Sequence, residues 1–261
     1  MTTDNTNTTR NDSLAARTDT WLQSLLVWSP GQRDIIKTVA LVLMVLDHAN
    51  RILHLEQTWM FLAGRGAFPL FALVWGLNLS RYEHIRQASV NRLWGWAVVA
   101  QFGYFLAGYP WYEGNILFAF AVAAQMLKWC EYHSLVWSVS ALTLLVLWFP
   151  LSSTSYGAVG IILLMLCHRI YRTTHLSVRS MLALCLFPVV ALVNLQDSVT
   201  AAVSGVLVTY MVVRMVSGIR WPAARFWPAD FFPVFYVGFY AGTPDFSVIP
   251  VLNRLPMYPG Q

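Results

Sequence analysis

"VLMVLDHANRIL", Val42–Leu53, starts as sequence that belongs in a lipid bilayer and then sets Asp47, His48, Asn50 and Arg51 within five positions. Its first half decides the fold class, because an uninterrupted apolar run of this kind is the core of a membrane-crossing helix. The residues around it share that character. The chain of 261 residues is 57% hydrophobic and only 11% charged, with a mean hydropathy of +0.54. Soluble domains carry about 25% charged residues. The 12 Trp and 11 Tyr suit the aromatic belts at the two membrane interfaces. The class is therefore all-α, a polytopic transmembrane helical bundle in the lipid bilayer.

Spans are expected at roughly 34–53, 59–79, 93–109, 116–132, 134–150, 156–172, 180–196 and 198–217, each near the length that a bilayer requires. That makes about eight. A ninth apolar stretch, 231–250, is interrupted by Pro233, Pro244, Asp245 and Pro250. Residues 1–30 are polar and rich in Thr, Asn and Asp, with the composition of a disordered segment. They lack a charged n-region followed by an apolar core, so no cleavable signal peptide is expected. "WLQSLLVW", Trp21–Trp28, is too short to span and suits the membrane surface. Residues 31–236 form one membrane domain with no internal repeat, and 237–261 make a separate tail.

Basic residues fall in alternate loops. Arg10, Arg17, Arg33 and Lys37 precede or open the first span. Further groups are Arg81, Arg86 and Arg92, then Lys128, then Arg169, Arg172 and Arg179, then Arg214, Arg220 and Arg225. The loops between them, "HLEQT", "YPWYEGN", "LSSTS" and "NLQDS", contain no Lys or Arg. Positive charge is retained in the cytoplasm, so the N-terminus is expected there. The net charge of +5 is thus written into topology. No basic run is interleaved with aromatics in a soluble stretch, which argues against a nucleic-acid partner. Cys130, Cys167 and Cys185 show no CxxC spacing, so neither a disulfide framework nor a metal site is indicated.

The polar half of the opening stretch is the chemical signal. A charge within a span costs about 2.5–3.5 kcal/mol even on insertion scales and is seldom kept without a role. With the N-terminus inside, Asp47, His48 and Arg51 lie in the outer half of the first span. Arg65, in "LAGRGAFPLF", lies about two turns into the second span and at a similar depth. Asp47 and Arg51 are four apart and share a face, in the order that favours an ion pair. His48 and Arg51 are three apart and can line one cavity. Glycines flank Arg65, allowing close helix approach or ligand space. Pro69 should free backbone carbonyls near that depth. Two readings stay open from the residues alone, a structural ion pair between helices or a functional site. Asn78, Gln101, Gln125 and Asn194 suit hydrogen bonds between helices. There is no GxSxG, HExxH or Gly-rich phosphate loop.

"KTVALVLMVLDH", "LAGRGAFPLFALVWG", "YPWYEGNILFAF" and "RFWPADFFPVFY" together resemble the TraX family. The likeness runs from the N-terminal part to about Tyr236. The resemblance implies N-terminal acetylation of conjugative pilin in the bacterial inner membrane, with acetyl-CoA as donor, during F-type pilus maturation. It also implies a distant relationship to multi-spanning membrane acyltransferases that use an intramembrane histidine and nearby arginines. By that analogy His48 is catalytic and Arg65 contacts substrate or donor. The tail departs from the pattern, since "VGFYAGTPDFSVIPVLNRLPMYPGQ" has no histidine where a His-Leu pair is expected, and four prolines.

The placed cluster suits that chemistry. An α-amine has an ordinary pKa of about 7.7–8.0, so a neutral imidazole can take its proton as it attacks a thioester. Asp47, the second catalytic candidate, would hold Arg51 and favour the protonated form of His48, while Arg51 or Arg65 would stabilise the oxyanion or a donor phosphate. The donor is cytoplasmic and the amine outside, so Asn78, Gln101 and Gln125 are candidates to line a path between them. The alternative is a small transporter whose Asp47, His48 and Arg51 relay protons or ions, although no repeats or broken helices in matching positions are evident. A non-catalytic scaffold is a third possibility.

Overall fold

The computed structural model describes residues 17–219, 223–228 and 231–242. Among them every regular element is helical. A short helix, α1, covers 17–26, followed by α2 (Pro30–Ile52), α3 (Thr58–Gly64), α4 (Ala67–Leu79), α5 (Gln87–Leu106) and α6 (Ile116–Cys130). Then come α7 (Leu135–Trp148), α8 (Gly157–Arg172), α9 (Leu176–Leu195), α10 (Val199–Gly218) and α11 (Phe231–Ala241). Each expected apolar run has a helix at its position. Among the described residues three helical stretches are long and apolar enough to cross a membrane: Thr58–Leu79, Leu176–Leu195 and Val199–Gly218. Shorter apolar helices cover Ile116–Cys130, Leu135–Leu151 and Phe231–Ala241. The ninth stretch is helical over Phe231–Ala241, and the remainder of the tail lies outside the described residues. So do residues 1–16 of the polar N-terminal segment, whose described part, 17–30, is helical over 17–26.

Local chemistry sets these boundaries. At the start of α2, the Ser29 hydroxyl accepts from the Gln32 backbone N–H, the Gln32 side chain accepts from Ser29 N–H, and Pro30 follows. That capping box satisfies two otherwise orphaned donors. At its other end the Asn50 carboxamide accepts from Gln57 N–H at 2.8 Å. The turn between carries His54 and Glu56 at positive φ. The second expected span is broken at Arg65–Gly66. Pro69 has no N–H to donate to the Arg65 carbonyl four residues earlier, and the helix restarts at Ala67.

The chain forms two compact units. The first holds α1–α4, most of α8, α9 and α10. There α2 packs on α3 and α4, and α10 packs on α9, α3, α2 and α4. Its helix α1 is tied to α9 by Arg179, which donates to both oxygens of Asp19 at 2.8 and 3.1 Å. The second unit holds α5–α7 and α11, with α5 against α6 and α11, and α6 against α7. The outward side chains of α7, among them Leu135, Val136, Leu142, Val146 and Leu147, are 60–80% exposed. An apolar face of that extent is costly in water and suits lipid.

Candidate functional site

The site is built on the break between α3 and α4. Arg65 caps α3, so its side chain leaves a helix end and reaches sideways to two neighbours. One terminal nitrogen donates to the Asp47 carboxylate of α2 at 2.5 Å. The other donates to Asp197, in the turn between α9 and α10, at 2.6 Å. Nε donates to the Phe61 carbonyl at 3.3 Å, and the guanidinium lies 4.4 Å over the Phe61 ring. Arg65 is 7% exposed. Its charge is therefore balanced inside the bundle, as burial of a guanidinium demands. Charged hydrogen bonds this short are among the strongest available to side chains.

Small residues allow the approach. A Cβ on Gly64 would overlap the Cβ of Asp47, and one on Gly205 of α10 would overlap the Asn194 amide and sit 3.2 Å from the Arg65 carbonyl. Thus α3 lies directly on α2, and α10 on the Arg65 backbone. Ser204 adds a hydrogen bond to the Leu62 carbonyl at 2.8 Å. The glycine beside Arg65 thus has a packing role.

His48 follows Asp47 on α2 and is half-buried. Its Nδ1 lies 2.8 Å from the Met44 carbonyl, one turn back. A carbonyl can only accept, so in the neutral ring Nδ1 carries the proton and Nε2 keeps the lone pair. The charges of Asp47, Arg65 and Arg51 all act on this ring. Arg51 occupies the last turn of α2 and is exposed. A cation there also suits the negative end of the helix dipole.

The remaining sequence candidates lie elsewhere. Asn78, near the end of α4, accepts from Arg33 at 2.7 Å. Arg33 stands near the start of α2, about 20 Å from Asp47 at 1.5 Å per residue. Gln101 and Gln125 belong to the second unit. Gln101 donates to the Glu113 carbonyl at 2.7 Å and accepts from Asn115 at 2.8 Å. Gln125 accepts from Gln87 at 3.1 Å. Asp47 pairs with Arg65, on another helix, a contact that the i, i+4 spacing of Asp47 and Arg51 does not reveal. Asp197 was not singled out from sequence. The available signal was an acid in a loop without Lys or Arg, "NLQDS", between two apolar runs. Among the described residues no group of three His, Cys, Asp or Glu is arranged to hold a metal ion.

Known proteins place this arrangement in a family. The model of the family described as TraX protein matches residues 32–241. A relative called Protein TraX from Escherichia coli (strain K12) is 67% identical over 236 residues, which cover 90% of this chain and 95% of the relative. A second Protein TraX, from Escherichia coli, is 66% identical over the same coverage. No solved structure matches the chain. The matched region contains α2, the Arg65 break and the Asp197 turn, and with identity this high over nearly the full length, the chain belongs to the TraX family.

Proposed function

We propose that this chain is a membrane-bound N-acetyltransferase of the bacterial inner membrane, acetylating the N-terminal amine of conjugative pilin with acetyl-CoA. The observation that carries the reading is the His48 ring, oriented by Met44 and set beside the Asp47–Arg65 pair. An intramembrane histidine with a defined tautomer and adjacent charges is costly to keep and chemically competent. With the N-terminus cytoplasmic, the end of α2 faces the side on which signal cleavage frees a pilin amine.

Acetyl-CoA supplies an acetyl group activated as a thioester. His48 Nε2 takes the proton from the amine as its nitrogen attacks the thioester carbonyl. Collapse breaks the C–S bond, forms the amide and returns that proton to the leaving thiolate. Arg51, exposed one turn beyond His48, is placed to meet the oxyanion or a donor phosphate. Asp47 keeps the end of α2 registered against Arg65.

The test is transfer in vitro. The full-length protein in phospholipid vesicles, given acetyl-CoA and a pilin peptide with a free N-terminus, should release thiol and acetylate the peptide in equal amounts. A peptide with a blocked N-terminus should release none. Equal thiol release with both peptides, or none with either, contradicts the reading. Ion flux into those vesicles without acetylation would favour the transporter alternative.

A further inference from the structure

We infer that Asp197 is a positioning residue for the transfer. Together with Asp47 it locks Arg65 as a strut behind His48, and Arg65 does not itself contact donor or acceptor. The inference rests on the acetyltransferase reading above.

Each of the three guanidinium nitrogens of Arg65 donates a hydrogen bond, to Phe61, Asp197 and Asp47 respectively. The plane also lies on the Phe61 ring. An incoming phosphate or oxyanion would have to approach both carboxylates at short range. The three contacting charges, two carboxylates and one guanidinium, sum to one negative charge, which repels an anion at short range.

Asp197 is well built to hold the strut. Its backbone N–H donates to the Asn194 carbonyl at 3.2 Å. The Asn194 side chain is itself anchored to the Val190 carbonyl at 3.0 Å and is fully buried. The next residue, Ser198, caps α10 by accepting from Ala201 N–H at 3.0 Å. The Asp197 carboxylate therefore projects from a turn fixed at both ends. Arg65 spans from it to Asp47, and the ends of α2 and α9 become mutually registered. Without Asp197 the guanidinium keeps one carboxylate and can rotate about it. The end of α2 that carries His48 then loses a restraint. Displacement of a reacting group by about 1 Å can cost about a hundredfold in rate.

The experiment uses the full-length protein in phospholipid nanodiscs, with a pilin N-terminal peptide and acetyl-CoA, and compares Asp197→Asn, Asp197→Glu, Arg65→Gln and the Arg65→Gln/Asp197→Asn pair. Asp197→Asn should lower kcat about 10–100-fold while KM for both substrates stays within about twofold. Asp197→Glu should recover part of kcat. In the Arg65→Gln background, Asp197→Asn should have no further effect, because it acts through Arg65. Asp197→Asn with an unchanged kcat would overturn the inference. So would a raised peptide KM at constant kcat, or effects that simply add in the pair. Absence of transfer by the unmutated protein would instead overturn the acetyltransferase reading, and the inference with it.

Discussion

Replacing Gly64 by alanine puts a methyl group onto the Cβ of Asp47. That atom is bonded directly to the α2 backbone and cannot swing aside, so α2 and α3 must separate. Overpacking of this kind costs about 1–3 kcal/mol, whereas the helix preference of alanine over glycine returns about 1 kcal/mol. The net expectation is destabilisation by up to about 2 kcal/mol. Gly95, within α5, provides the control, because a Cβ there meets nothing within 4 Å. Gly95→Ala should be neutral or stabilising by up to about 1 kcal/mol. Unfolding by SDS in mixed micelles, followed by tryptophan fluorescence, compares the two variants directly. Gly64→Ala should unfold at lower SDS than the unmutated protein, and Gly95→Ala at the same or higher SDS. If Gly64→Ala unfolds together with Gly95→Ala, the close contact of α3 with Asp47 is refuted.

Other substitutions probe separate parts of the same unit. Arg65→Gln should destabilise by about 2 kcal/mol, less than the 3–5 kcal/mol typical of a broken buried pair, because Asp47 and Asp197 are 21% and 40% exposed; the same SDS titration reads it. Asp34→Ala, which removes a carboxylate 1% exposed that holds Lys37 at 2.7 Å and accepts from Phe226 and Trp227 N–H, should cost about 3–5 kcal/mol, seen as a much earlier unfolding midpoint. Trp227→Phe removes the indole hydrogen bond to Thr38 at 2.9 Å and should cost about 1 kcal/mol. In a background without Cys130, Cys167 and Cys185, a cysteine at Tyr112 should react in intact cells with a membrane-impermeant thiol reagent, and one at Tyr82 should not. The reverse pattern would invert the proposed topology.

The helices were legible because apolar runs of bilayer length leave the backbone little choice but to bond internally. Even the break in the second span had its mark, since Pro69 removes the donor for the Arg65 carbonyl. The site was legible where a charge interrupts an apolar run, which marks Arg65 in the second span as well as Asp47 and His48 in the first. Asp47 and His48 stood out as charge in an apolar run, and helical spacing offered Arg51 as the partner of Asp47. Which cation a carboxylate meets depends on which helix lies against it, and that was decided by Gly64, whose missing side chain lets α3 bring Arg65 to Asp47. Asp197 is 132 residues from Arg65 along the chain, and no local periodicity could join them. Gln101, by contrast, does visibly local work, bridging to Glu113 and Asn115 across the following turn.

The proposed role of His48 as proton acceptor in acetyl transfer to pilin can be read from the intact mass of pilin. Pilin would be isolated from cells carrying the unmutated protein, its His48→Ala form at equal membrane abundance, or neither. A gain of about 42 Da, one acetyl group on the terminal amine, is expected only with the unmutated protein. Pilin of unchanged mass in all three cells would contradict acetyl transfer, and an equal gain with His48→Ala would remove His48 from the reaction.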